Sequence, residues 1–375
     1  MTTPIHAAGL QDRSNRDLLI FHSAGSFFAI AAIIAIALPW VWWLQLEEAR
    51  LTHARLGIFG FGGVAVSGYL LTAQKAWTAR NAPIPALVLG ALALGSRVTA
   101  FWFPGRIWVT LLGSLGIAFA ILWPVARAGR WDKLPVAAVP LALAAAEVAL
   151  VGQFISAAVL PGAMVILILL VGGRVVPAFI AEDRRRSGHI ARNLPWRWPS
   201  LGLFGSSFFL DGVLGALVLI AVALWVLYQV RGGFGAGPAN RFLCFAYLGL
   251  VPVMLGMAAT RAGLLIPRAE LHLLTMGAMG PVILAIAARV AMRRPKDGQL
   301  VPRSCHWGAL CLIFAATVAR CVAEVAPRPE FWMIAAGVCW STAWSLFLWA
   351  HLSMIGRPPA FPLLSAKRGP HTRLG

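Results

Sequence analysis

Apolar runs of about twenty residues recur along almost the whole sequence, from residue 18 to residue 355. Each run is long enough to cross the roughly 30 Å hydrocarbon core of a bilayer as a helix. Hydrophobic residues make up 59% of the chain and charged residues only 12%. The pattern predicts an all-α, polytopic helical membrane protein that is embedded in the lipid bilayer.

Eleven runs can be placed as membrane spans. They are residues 18–43, 56–73, 84–103, 107–126, 134–151, 155–180, 203–230, 242–259, 271–292, 307–325 and 331–355. The first run is longer than the apolar region of a signal peptide, so we interpret it as a retained span. The longest polar stretch, 181–200, is too short to bury a core of its own. We therefore expect one membrane domain over residues 1–375, with an N-terminal segment at 1–17, spans within 18–355 and a basic tail at 356–375.

Cationic side chains indicate the orientation of the chain. Several fall in alternate loops: Lys75, Arg80, Arg127, Arg130, Lys133, Arg184, Arg185 and Arg186. The positive-inside rule places these loops and the N-terminus in the cytoplasm. Eleven spans would leave Arg293 and Lys367 outside, so we expect twelve. The run that contains Asp211 and Gly212 is the candidate for a broken helix or a helix pair, and twelve spans would place His53 and His272 at the same non-cytoplasmic face.

The charge and the motifs exclude several other classes of protein. The net charge is +19, but the 32 Lys and Arg residues lie mostly in short loops, so we do not expect nucleic acid as a partner. No CxxC pair indicates a zinc or thiol redox site. Nucleophile elbows, phosphate loops and HExxH motifs are also missing from the sequence, so we do not expect hydrolase or ATPase chemistry.

Three segments carry a more specific signal. The first, 53–61, reads His-Ala-Arg-Leu-Gly-Ile-Phe-Gly-Phe and is followed at 68–73 by Gly-Tyr-Leu-Leu-Thr-Ala. The second, 172–179, reads Gly-Gly-Arg-Val-Val-Pro-Ala-Phe, and the third, 271–290, begins Leu-His-Leu-Leu-Thr-Met-Gly-Ala-Met-Gly. Together, in this order, they resemble motifs of the NnrS family, the haem- and copper-associated polytopic membrane proteins linked to nitric oxide metabolism in denitrifying and related bacteria.

This resemblance implies a multi-pass protein of a bacterial inner membrane that takes part in the response to nitric oxide. It makes His53 and His272 candidate haem ligands, since imidazole is a common axial ligand of haem iron. Arg174, inside an apolar run, becomes a candidate cofactor-binding residue that holds an anionic group such as a haem propionate. The resemblance does not by itself define an enzyme, and no proton relay or second redox centre is visible in the sequence.

The chain also departs from the family's motifs. The family's ligating or acidic residues fall, in this alignment, on Arg55, Leu56, Arg294 and Cys244. Because haem iron and copper prefer imidazole, thiolate or thioether ligands, a chain that keeps only His53 and His272 has fewer ways to hold a metal. Haem remains the expected cofactor, and the missing ligands argue against copper.

Structural roles are the alternative for each of these residues. Arg174 could pair with the carboxylate of Asp211 or Glu147 instead of a ligand, and each candidate histidine could make only a structural hydrogen bond at a helix start. Other arginines near span ends are expected to extend to the lipid headgroups: Arg97, Arg289 and Arg320. The remaining histidines are not expected to be ligands: His6, His22, His189, His306, His351 and His371.

Two further functions stay open. Interior arginines and helices interrupted near Pro177, Asp211, Pro252 and Pro281 are typical of a transporter, here of a small anionic solute. Alternatively, the chain is a divergent family member that has lost its cofactor and serves as a membrane scaffold or sensor.

Overall fold

The protein is helical, as the apolar runs predict. The computed structural model describes residues 19–188, 195–265, 269–293 and 299–357. Within these ranges it contains helices and no β-sheet, apart from an isolated bridge between Arg293 and Val301. The predicted class, an all-α polytopic membrane protein, is confirmed.

The described residues form two compact units, of which the first comprises residues 19–155 and 348–357. Its helices are α1 (Ser23–Leu44), α2 (Ala49–Thr78), α3 (Ala86–Trp102), α4 (Ile107–Arg127) and α5 (Trp131–Val151). Helix α1 packs against α2 and α3, and α4 contacts α2, α3 and α5. Short loops join successive helices, so the start of α2, the end of α3, the start of α4 and the end of α5 lie at one face of this unit.

The second unit comprises the described residues between 156 and 347. Its helices are α6 (Leu160–Arg186), α7 (Trp198–Ser206), α8 (Gly212–Gln229), α9 (Pro238–Arg261), α10 (Ala269–Ala291), α11 (Ser304–Val322) and α12 (Pro329–Leu352). The last turn of α12, from Leu348, belongs to the first unit. Helix α8 packs along α9, and α6 contacts α7, α9 and α10. Helix α10 also contacts α11. The single domain expected from the sequence thus contains two units, each with its own packed core.

Each of the eleven predicted runs contains a helix. Among the described residues, ten helices are long and apolar enough to span a membrane, and α3, with 17 residues, is slightly shorter than the others. Helix α7 has 9 residues, about 14 Å of helix and roughly half of the hydrocarbon thickness. The count of twelve spans is therefore not confirmed and stays a prediction.

The predicted break in the run 203–230 is confirmed at Asp211 and Gly212. Asp211 has extended backbone angles, φ −107° and ψ 173°, and Gly212 has a φ of +60°, which glycine adopts without steric strain. The Asp211 carboxylate accepts a hydrogen bond from Arg261 Nη1 at 2.7 Å. A carboxylate at a helix start is also favoured by the helix dipole. The break is therefore a defined start of α8.

Candidate functional site

Both candidate histidines directly precede an irregular stretch of helix. Helix α2 winds as a π-helix over Leu56–Gly62, shortly after His53, and α10 does so over Leu273–Met279, immediately after His272. Each stretch has 7 residues. π-Helical turns are rare and are found frequently at functional sites. The same irregularity thus occurs once in each unit, at the two histidine motifs.

The glycines of these motifs lie at close helix contacts. A Cβ atom on Gly277 would lie 2.7 Å from a side chain of α9, and one on Gly280 would lie 2.9 Å from a tryptophan of α12. A Cβ on Gly60 would lie 3.2 Å from α1, while Gly57 has only an ordinary contact at 3.5 Å. At three of these four positions an added Cβ would therefore crowd a side chain of a neighbouring helix.

His53 lies half-buried in the first unit, in the first turns of α2. Its Nδ1 atom is 3.2 Å from the Leu38 carbonyl oxygen, and its ring is 5.2 Å from the Trp42 ring. When Nδ1 carries the proton, it donates to Leu38 and leaves a lone pair on Nε2. Metal-binding histidines are commonly held by such a hydrogen bond from the second ring nitrogen. The same bond would also satisfy a histidine with a purely structural role.

His272 lies half-buried in the second unit, beside an apolar cavity of about 610 Å³ between α9, α10 and α11. Ala269 and Leu273, which flank His272 in the sequence, line this cavity, and so does Gly277; His272 itself does not. The volume falls within the roughly 300 to 1,000 Å³ typical of ligand pockets. The cavity is therefore large enough for an apolar ligand next to the helix that carries His272.

The second motif packs around a buried tyrosine. Tyr247 Oη donates a hydrogen bond of 3.0 Å to Gln229 Oε1, and both side chains are buried. A Cβ atom on Gly172 would lie 2.6 Å from the Tyr247 ring. The glycines of this motif thus allow α6 to approach α9. Arg174 follows them, and its side chain is exposed on α6.

Asp211 and Glu147, the two carboxylates proposed from the sequence as partners of Arg174, are bound by other arginines. Asp211 is bound by Arg261 at 2.7 Å within the second unit. Glu147 is bound by arginines of its own unit, with N···O distances of 2.9 and 3.0 Å. The structure therefore assigns these carboxylates to other ion pairs, and the Arg174 side chain is exposed.

The second and third motifs meet in the second unit. The Arg289 guanidinium lies 4.3 Å from the centre of the Phe179 ring and donates to Asn240 Oδ1 at 3.0 Å. Asn240 Nδ2 in turn donates to Asp183 Oδ2 at 2.9 Å. Arg289 is buried, so the expectation that it extends to the headgroups is wrong. Its charge is instead compensated inside the protein, where it joins α10 to α6 and α9.

A buried ion cluster in the first unit was not predicted. Arg55, at the position of a motif histidine, is fully buried, and its Nε and Nη2 donate to Glu147 Oε1 at 3.0 and 2.9 Å. Its Nη1 donates to the Pro104 carbonyl, and Nη2 also donates to the Thr110 hydroxyl at 3.2 Å. Arg55 therefore serves as the buried partner of a carboxylate.

Arg97 binds the same carboxylate from α3. Its Nη1 and Nη2 donate to Glu147 Oε1 and Oε2, both at 3.0 Å, which is the bidentate geometry that guanidinium favours. Arg97 is only 4% exposed, so it does not extend to the headgroups as expected. Arg320, the third arginine of that prediction, binds Glu324 at 2.6 Å. Ion pairing, rather than lipid contact, determines the position of these arginines.

Three of the other histidines hydrogen-bond to the backbone. His351 Nε2 lies 2.7 Å from the Gly25 carbonyl oxygen, and His306 Nδ1 accepts from the Arg303 N–H at 3.1 Å. The Nδ1 of His22 accepts from the backbone at the start of α1. These contacts are structural. Some residues of the sequence predictions lie outside the described residues: His6, His189, Arg294 and His371.

In the part of the chain that the structure describes, no three His, Cys, Asp or Glu side chains lie close enough to share a metal ion. Cys244 is buried with a free thiol.

The sequence matches the family described as NnrS protein over residues 21–358, nearly the whole chain. The chain belongs to the NnrS family. The match includes all three motifs and both units, so the resemblance drawn from the motifs is confirmed. A search of curated proteins found no match.

The residues of this chain differ in how well they suit copper and haem, the two groups associated with the NnrS family. Arg55 stands where the motif resemblance would place a histidine, and guanidinium has no lone pair to offer a metal such as copper. An imidazole could still serve a haem iron, since His53 has a hydrogen-bonded Nδ1 and His272 lies beside an apolar cavity.

Proposed function

We propose that this NnrS-family protein associates with haem and helps a bacterial cell to tolerate nitric oxide. The supporting observation is that His53 and His272, the histidines of the motifs, each lie just before a π-helical stretch of the described residues, one in each unit. Such a stretch weakens the regular helix, so it is retained where the backbone must present side chains in a specific way. The proposal includes a bacterial inner membrane with the N-terminus in the cytoplasm, supported by the cations in alternate loops.

Three side chains are the proposed cofactor-binding residues, one in the first unit and two in the second. His53, with Nδ1 held by the Leu38 carbonyl, would present Nε2, and His272 would present its imidazole beside the apolar cavity. Arg174 would pair with a propionate, because its side chain is exposed on α6. Haem iron, when bound, supplies a site that coordinates nitric oxide. We propose no copper site, because Arg55 occupies one of the ligand positions.

The optical spectrum of the purified protein tests this proposal. The protein should be purified in detergent from cells supplied with iron and a porphyrin precursor. We expect a Soret band that His272→Ala removes and that His53→Ala removes or shifts. A matched control is His189→Ala, which changes a histidine of a polar segment and should leave the band unchanged. Colourless, iron-free wild-type protein would contradict the haem proposal and favour a family member without cofactor.

Transport of a small anion is the second candidate function. The break between α7 and α8 supports it, since transporters bind their substrates where helices are interrupted near the middle of the membrane. Uptake of labelled nitrite into proteoliposomes is the direct test. Uptake by colourless protein that Arg174→Gln abolishes would favour transport over the haem proposal.

A further inference from the structure

The ion cluster of Arg55, Arg97 and Glu147 carries an excess positive charge. Their exposed fractions are 0%, 4% and 2%, so all three are buried among the helices of the first unit. Two guanidinium groups and one carboxylate leave a net charge of +1. A buried charge without compensation is strongly unfavourable, most of all inside a membrane protein. The cluster as it stands requires another negative charge.

The carboxylate of Glu48 does not neutralise this excess charge. Glu48 acts electrostatically on Arg55, but its side chain is exposed just before α2 begins. Water and salt screen an exposed charge much more than a buried one. The excess charge of the cluster therefore remains largely uncompensated by Glu48.

The Arg97 guanidinium also has more N–H donors than acceptors among the neighbouring protein atoms. A guanidinium carries five N–H groups, and Arg97 uses three in the described structure, one to the Ser96 hydroxyl and two to Glu147. Buried donors are nearly always bound to an acceptor, either protein or an ordered small molecule. The two remaining N–H groups thus call for acceptors beside Glu147.

A cavity of about 30 Å³ lies next to these donors. Its lining includes Arg97, Glu147 and the serines Ser67, Ser96 and Ser114. The first two serines donate to backbone carbonyls, at 2.7 and 2.8 Å. One water needs roughly 10 to 15 Å³ of such space, so the cavity of about 30 Å³ holds about two or three waters or a single small ion. It is too small for a porphyrin or a phosphate ester.

We propose that this cavity binds one small monovalent anion of the size of chloride, bromide or nitrite. The anion would accept from the free N–H groups of Arg97 and from the Ser114 hydroxyl. Its charge would make the cluster neutral, and it would strengthen the contacts that join α3 to α5. The site lies wholly within the first unit and does not involve His53, His272 or Arg174.

Thermal unfolding in different salts tests this site. Detergent-purified protein should be heated in gluconate, chloride or nitrite buffers at constant ionic strength. Because an anion that binds only the folded state stabilises it, we expect Tm to rise by several degrees as chloride or nitrite replaces gluconate. An equal Tm in all three salts would overturn the proposal.

Two variants identify the site. Arg97→Gln leaves the neutral Arg55–Glu147 pair and should abolish the dependence of Tm on chloride. Ala144→Val adds carbon atoms to the cavity lining without changing any charge, and should abolish it too. The control Arg106→Gln, which changes an exposed loop arginine of the same unit, should retain the full shift. A shift that persists in Ala144→Val would place the anion elsewhere, and this variant decides the matter if Arg97→Gln does not fold.

A bromide derivative gives a direct readout. An anomalous peak within hydrogen-bonding distance of Arg97 is expected in crystals grown with bromide. Anomalous peaks confined to the protein surface would overturn the proposal, whatever the salt dependence of Tm.

Discussion

Replacing Glu147 with leucine is expected to destabilise the protein by about 3 to 5 kcal/mol, because it removes the carboxylate of a buried ion cluster. Arg55 and Arg97, both buried, would then face each other with no negative charge between them. We expect most of the variant to aggregate during purification. The measurement is the yield of monodisperse protein in detergent and, for the soluble fraction, its Tm.

Burial, rather than ion pairing as such, is the reason for this effect. The matched control is Glu324→Leu, which breaks the pair with Arg320 at 2.6 Å, where both side chains are partly exposed. Exposed or partly exposed pairs contribute about 0 to 1 kcal/mol. Arg97→Leu should also be milder than Glu147→Leu, since it leaves one arginine for one carboxylate. Similar losses in Glu147→Leu and Glu324→Leu would show that the cluster is not buried from water as described.

The second large loss of stability is expected when the glycines at the helix contacts of the third motif are replaced by valine. A Cβ atom on Gly277 would lie 2.7 Å from Val253 Cγ2, and one on Gly280 would lie 2.9 Å from Trp340. Each valine substitution should destabilise by about 1 to 3 kcal/mol, because neither neighbour has room to move away in a packed interior. The double variant should therefore lose most of its folded population, as measured by Tm and by yield.

A glycine in open space provides the control for that experiment. Gly95 on α3 has no atom within 4 Å of an added Cβ. Gly95→Val should change stability by no more than about 0.5 kcal/mol, as surface substitutions usually do. If Gly277→Val were tolerated as well as Gly95→Val, the close packing of α10 against α9 would be refuted.

Much of the fold could be predicted from the sequence because the bilayer constrains it strongly. A run of about twenty apolar residues has few alternatives to a helix, and each predicted run contains one. The break at Asp211 and Gly212 was also predictable, since an acidic residue followed by glycine interrupts an otherwise apolar run. The two units were not predictable, because they depend on which helices pack together.

The candidate site could be predicted only in part. The histidines stood out because ionisable residues are rare inside apolar runs. The π-helical stretches gave no recognisable signal, since an extra residue in a turn is fixed by the packing around it. Their position next to both histidines became visible only in the structure.

The partners of the buried charges were the main error. Glu147 was offered to Arg174, yet it binds Arg55 and Arg97. The sequence did contain a signal for the correct pairing. Arg55, Arg97 and Glu147 each lie within roughly two turns of a helix end, and the antiparallel order of the helices brings those three ends to the same face. Comparing the depth of each charge along its span would have favoured this grouping, whereas Arg174 lies near the middle of α6.

The sequence by itself determined the class of the protein, the positions of its helices, its family and the residues that depart from the family's motifs. These properties follow from local hydrophobicity and from the order of short motifs, both of which can be read along one dimension. Only the tertiary structure decided which arginine binds which carboxylate, where the helices become π-helical, and which glycines lie at tight contacts between neighbouring helices. Those outcomes depend on distances of a few ångströms between segments that are far apart in the chain, and hydrophobic patterning does not encode them.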